Sequence, residues 1–151
     1  MSKGFTLVEM LVVIAVTAII AVIGVSSLAN VNTSKAVDIE VEKVVTLITK
    51  ARSLTMAAKD NVVYGIHFEA KKVVLFKGST YSAGTSTNQS QPLNAEVKIS
   101  ATALTGGGAE VVFKKLTGAT SQSGTITLAA VRKVSQTKVI TILGTGIAYG
   151  N

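Results

Sequence analysis

The spacing of hydrophobic and polar positions changes character twice along the chain. From Met10 to Val25 no residue is charged, and only Thr17 carries a side-chain hydroxyl. As a helix, the stretch from Phe5 to Val25 spans roughly 30 Å, the thickness of a bilayer's hydrocarbon core. A polar interlude follows, with Ser26, Ser27, Asn30, Asn32, Thr33 and Ser34, where the chain is expected to leave the membrane. Gly24 weakens a helix there by about 1 kcal/mol relative to Ala. In a membrane, however, the backbone is forced to close its own hydrogen bonds, so the helix is expected to run through it. Beyond the interlude, Val37, Val41, Val44, Ile48 and Ala51 recur at helical spacing, with Val45 widening the stripe. Asp38, Glu42, Lys43, Lys50 and Arg52 fall on the other faces. This pattern predicts a helix continuing to about Lys59, with Asp60 and Asn61 as its stop.

From Val62 the period becomes two and β-branched residues dominate. Residues 62–68 and 72–77 read as a hairpin around Glu69-Ala70-Lys71. Residues 78–95 form a long stretch rich in Ser, Thr, Gly, Asn and Gln that holds the only proline, Pro92, and is expected to be a loop. Short strands are predicted at 96–100, 110–114, 125–131 and 138–143, with a last one at 147–149, separated by glycine-containing turns. The expected fold class is α+β: one long N-terminal helix laid against an antiparallel sheet.

One residue breaks the apolar stretch. Glu9 lies four residues after Phe5, and a lone carboxylate in such a segment is costly without a positive partner. Lys3 on the N-terminal flank predicts a cytoplasmic N-terminus. An ordinary secretory signal with Ser27-Leu28-Ala29 as its cleavage site would need an apolar region longer than the usual ~7–15 residues, with an acid inside it. A plain membrane anchor accounts for the length but leaves Glu9 and the Gly4-Phe5 junction unexplained.

Lys3 followed by Gly4-Phe5-Thr6-Leu7-Val8-Glu9 resembles the class III signal of type IV pilins and type II secretion pseudopilins. The resemblance implies cleavage between Gly4 and Phe5 by a membrane-embedded prepilin peptidase and methylation of the new amine on Phe5. It implies a pilin fold organised as a leader at 1–4, a transmembrane and filament-core half-helix at 5–25, an amphipathic half-helix at 26–60 and a β-rich globular part at 61–151. Such a subunit waits in the cytoplasmic membrane, N-terminus inside. A separate assembly platform then draws it into a helical filament with copies of itself and other pilins. The product is an extracellular pilus, or a pseudopilus in the periplasm or cell wall. Glu9 would neutralise the methylated amine of a neighbouring subunit and so select the register of docking; one buried charge left unpaired costs about 3–5 kcal/mol.

The tail resembles the GspH/FimT-like branch, through Val111-Val112-Phe113, Thr117-Gly118, Gly124-Thr125-Ile126-Thr127-Leu128, Arg132-Lys133, Val139-Ile140-Thr141-Ile142 and Gly144-Thr145-Gly146. It departs from that branch where Leu116-Thr117 stands in place of the usual proline-arginine. It also departs from many pilins in having no cysteine, which removes disulfides, thiolate metal sites and lipobox anchoring.

The net charge of +7 falls largely after Asn61, where the only acids are Glu69, Glu96 and Glu110. Scattered basic charge serves solubility, and it also suits association with nucleic acid. Lys114-Lys115 and Arg132-Lys133 could together form one basic face. This face would suit one alternative reading, a minor pilin that binds DNA during natural transformation; the other alternative, a pseudopilin of a type II secretion system, is not separated from a pilus subunit by the sequence. Tyr81 and Tyr149 are the aromatic residues expected to be exposed for stacking. His67, the only histidine, reads as a strand residue without nearby acids, and Gly106-Gly107-Gly108 reads as a turn, lacking the Lys-Ser/Thr and helix of a phosphate loop. The Ser and Thr residues have no base to activate them. Asn32-Thr33-Ser34 and Asn88-Gln89-Ser90 match the glycosylation triplet, which occurs often by chance. The expected protein is not an enzyme and needs no cofactor or metal.

Overall fold

The computed structural model describes residues 4–151, with the side chains of 23–33 excepted. The leader residues before Gly4 therefore lie outside the described residues. A single helix, α1, runs Leu7–Met56. The chain divides into two compact units, one up to Thr33 and one from Ser34 to Asn151. In the first, the apolar side chains from Phe5 to Val22 are all exposed. Thr17 donates its hydroxyl to the carbonyls of Val13 (2.6 Å) and Ile14 (3.0 Å), so its only polar group is satisfied inside the helix. Among the described residues no helix is long and apolar enough to cross a membrane. Side chains in this stretch are described only as far as Val22.

In the second unit, the predicted stripe is the buried one. Val37, Val41, Val44, Ile48 and Ala51 are all buried, and Val45 packs half-buried beside them. The helix ends earlier than the sequence suggests, at Met56 rather than Lys59. Ala58 takes the left-handed conformation that closes many helices, and a single 3-10 turn at Lys59–Asn61 follows, with Asp60 also left-handed. Thr55 then ties the helix to the sheet: its buried hydroxyl donates to Ala51 O (3.0 Å) and accepts from the backbone N–H of Tyr64 (2.9 Å).

Eight strands follow: β1 Tyr64–Glu69, β2 Lys72–Lys77, β3 Gln89–Pro92, β4 Val97–Leu104, β5 Glu110–Val112, β6 Gly124–Ala130, β7 Thr137–Ile142 and β8 Ala148–Gly150. They make two antiparallel sheets, with strand orders β3-β2-β1-β5 and β4-β6-β7-β8. The first hairpin turns on Ala70 and Lys71, with Glu69 opposite Lys72. That turn also binds the second sheet. Ala70 O accepts from Ile99 N–H (3.0 Å), and the Lys71 ammonium donates to Ala95 O (2.9 Å) and Val97 O (3.1 Å). Side chains of α1 and both sheets meet in one core that includes Ile66, Phe68, Val73, Leu75, Ile126, Leu128 and Ile140.

Two expectations are corrected. Residues 78–95 are not loop throughout, because β3 lies within them as an exposed edge strand on β2, with Pro92 at its end. An edge is where a sheet tolerates proline, since one side of the strand makes no ladder bonds. β4 is also longer than predicted, reaching Leu104 through a register shift between Ile99 and Ala101.

A second apolar cluster covers the other face of the first sheet. Val74 and Phe76 point away from the main core yet are buried. The Phe76 ring lies over Gly65, where an added Cβ would come within 2.8 Å of Phe76 Cε1 and 2.9 Å of Val111 O. The Tyr81 ring packs edge-on against Phe76, with centroids 5.7 Å apart. The chain between β2 and β3 thus roofs this side of the sheet.

Candidate functional site

Gly4 and Phe5 precede the helix in non-helical chain. Phe5 is 74% exposed and nothing lies within 4 Å of where a Cβ on Gly4 would stand, so the bond between them is sterically open. Thr6 caps the helix. Its carbonyl accepts from Met10 N–H (3.2 Å) and its hydroxyl from Glu9 N–H (3.2 Å). The spacing Thr6-x-x-Glu9 is that of a capping box, a signal present in the sequence but masked by the apolar run around it. Glu9, exposed in the first turn, therefore has a local reason for its place. A carboxylate there complements the positive end of the helix dipole by about 0.3–1 kcal/mol.

The two basic pairs are not brought together. Lys115 donates to Asn61 O (2.6 Å) and Asn61 Oδ1 (2.9 Å), just past the C-terminal end of α1. Arg132 and Lys133 lie in the turn between β6 and β7, and Gln136 of that turn donates to Ser34 Oγ (2.7 Å), where α1 enters this unit. Roughly 30 Å of helix separates those two anchor points, so the expected single basic face does not form. Lys114 is exposed. Arg132 is 83% exposed and reaches Glu96 at 3.5 Å.

His67 is less isolated than its sequence neighbours suggest. β1 pairs with β5 so that His67 stands opposite Glu110, and its Nδ1 lies 3.5 Å from Glu110 Oε1. The Tyr81 ring stacks on the imidazole at 3.9 Å. Tyr81 also donates its backbone N–H to Glu110 (3.2 Å) and its hydroxyl to Glu69 (3.3 Å). Tyr81 is thus a clasp for its own loop rather than an exposed stacking platform, while Tyr149 is exposed as expected. Among the described residues, no group of three or more His, Asp or Glu is placed to hold a metal ion.

A polar knot closes the helix-to-sheet junction. Asp60 accepts from the Lys77 ammonium and from the Tyr64 hydroxyl (3.0 Å). The Lys77 hydrogen bond, followed by that from Tyr64, holds the Asp60 carboxyl below its usual range. The same bond pushes the Lys77 ammonium up.

The chain as a whole matches no curated protein and no solved structure. Residues 1–25 match the family described as the prokaryotic N-terminal methylation motif. The matched residues contain the open Gly4-Phe5 junction, the Thr6 cap and Glu9, and the antiparallel sheets that follow α1 are consistent with a pilin fold. This match supports a type IV pilin-like protein.

Proposed function

We propose that the chain is a structural subunit of a type IV pilus or pseudopilus. Prepilin peptidase cleaves after Gly4, and the new amine on Phe5 is methylated. Residues 5–25 hold the subunit in the cytoplasmic membrane until an assembly platform moves it into a filament of like subunits. The observation that supports this most is the methylation-motif match on a capped helix whose early turns, Glu9 apart, carry an exposed apolar surface. Such a surface must be covered, either by lipid or by neighbouring helices.

In this account Glu9 stands at the capping-box position of its own helix, whose cap is the Thr6 hydroxyl, and supplies the counter-charge for a neighbour's amine. Two substitutions separate these roles. Glu9→Gln keeps a side chain that suits the capping box but removes the charge, whereas Glu9→Ala removes both. If charge pairing selects register, both variants insert and are cleaved normally, yet neither enters filaments. Normal filament yield from Glu9→Gln would sink the charge-pairing role.

A second reading, DNA binding on the filament surface, draws on one feature: Arg132 is 83% exposed in a turn at the end of a sheet, where it can reach phosphates without disturbing the ladder. Its surface is narrowed to Arg132 and Lys133, since Lys114 and Lys115 lie at the other end of the folded unit.

A further inference from the structure

The turn that follows β5 has an unusual apex. Leu116 is 86% exposed and adopts a φ of 67°, a region that side-chain-bearing residues rarely occupy outside Asn and Asp. Single exposed leucines are ordinary, but this one is held in place. Thr117 N–H donates to Lys115 O (2.8 Å) and Gly118 N–H to Lys114 O (2.9 Å), closing a tight loop around it. On one side the turn is anchored by the Lys115 bonds to Asn61. On the other, Gly118 O accepts from Arg52 Nε (3.2 Å). The result is a fixed apolar tip flanked by two cations, and backbone strain retained at an exposed position points to contact with something else.

The same folded unit carries a surface that complements this tip. A groove runs between α1 and the edge strand β3, lined by Ile39, Glu42, Thr46, Leu47, Lys50 and Gln91. Ile39 is 51% exposed in it. Of the neighbouring charges, Lys43 pairs with Glu40 (2.7 Å) and Asp38 with Lys138 (3.4 Å), while Lys50 donates to the neutral amide of Gln89 (3.0 Å). Among the described residues, Glu42 is the carboxylate of the groove and has no ion-pair partner, and Lys114 beside the tip has none either.

We propose that Leu116 of one copy of this chain seats in the Ile39–Leu47 groove of the next, with Lys114 of the first facing Glu42 of the second. The tip follows β5 and the groove borders β3, and these strands are the opposite edges of one sheet. Each copy can therefore give its tip and receive another at the same time. Such a heterologous contact repeats from copy to copy and generates a helical array unless its rotation happens to close a ring. The inference rests on the filament reading above for its biological setting, and it adds a contact made by the folded unit rather than by the apolar half of α1.

The absence of native cysteine makes the test direct. The full-length chain carrying both Leu116→Cys and Ile39→Cys is expressed in cells that assemble it and oxidised mildly. A ladder of disulfide-linked dimers and higher multiples is expected, with each single variant remaining monomeric. Glu42→Lys in that background should lower the linked fraction about five-fold, the effect of one modest ion pair, and adding Lys114→Glu should restore it. Purified single variants mixed in detergent should give heterodimers whether or not filaments form, so a failure of the filament reading is distinguishable from a failure of this contact. No linkage in the mixture or in assembled filaments would overturn the proposal. So would self-linkage of Leu116→Cys alone, or burial of a label at position 116 in lipid vesicles.

Discussion

Gly146 and Gly84 share a φ of 80°, yet the structure assigns them different costs on mutation to alanine. At Gly84 nothing lies within 4 Å of the added Cβ. Only the left-handed backbone is then penalised, at about 1 kcal/mol. At Gly146 the Cβ would fall well inside contact distance of Gly118 O, and it would meet Gly118 C at 3.0 Å and Arg52 Cδ at 3.2 Å. The carbonyl is backbone and cannot rotate away, so the turn at 114–118 must move. Overpacking of this kind adds about 2 kcal/mol. Moving Gly118 O also weakens its bond from Arg52, worth about 1 kcal/mol for a half-buried charged donor. Gly146→Ala should therefore cost about 4 kcal/mol and Gly84→Ala about 1 kcal/mol. The larger figure is a sizeable share of the ~5–15 kcal/mol that holds a domain together. Urea titration of each full-length variant in the same detergent, followed by circular dichroism, measures the gap. Equal losses at the two positions would refute the steric argument and leave backbone conformation as the sole effect.

Three further outcomes follow from the same geometry. Thr55→Val keeps the side chain's shape but leaves the buried N–H of Tyr64 without its acceptor; it should cost about 2 kcal/mol in the same titration, while Thr55→Ser should cost less. Because the fold depresses the Asp60 carboxyl, its contribution is complete above the ordinary carboxylate value of about 4 and is lost as pH falls through the lower, folded value. Asp60→Asn should accordingly flatten the acid limb of stability against pH, and an unchanged limb would remove Asp60 from that account. If the surface binds DNA, neutralising Arg132 and Lys133 should reduce the salt slope of a gel-shift titration by about two, while neutralising Lys114 and Lys115 should leave it unchanged. Loss of slope from the latter pair would contradict the separation of the two turns.

Local pattern carried the helix and the first hairpin well. The stripe from Val37 to Ala51 is a 3.6-residue signal with charges on its other faces, and all five of its apolar members are buried. The Glu69-to-Lys72 turn lies between two apolar runs and needs no distant information. β3 was illegible for the opposite reason. Gln89-Ser90-Gln91-Pro92 has no β-branched or aromatic residue, and it is a strand because β2 offers it a ladder; strand propensity yields to pairing context. The same limit applies to His67 and to the basic residues. Glu110 reaches His67 through pairing of β1 with β5, and the two basic turns are separated by the course of the sheets, neither of which a window of neighbouring residues contains. The Thr6-x-x-Glu9 cap, by contrast, is written locally, but the apolar run around it makes Glu9 stand out as an exception rather than as part of a helix start.

Processing at the Gly4-Phe5 junction is the step a filament subunit of this kind requires first, and mass spectrometry of the chain recovered from sheared surface filaments tests it most directly. A filament subunit of the proposed kind is recovered as a polypeptide that begins at Phe5 and carries one methyl group on its amine. Recovery of an unprocessed chain that still carries Met1–Gly4, or filaments from which this chain is missing while it accumulates elsewhere, would contradict the account.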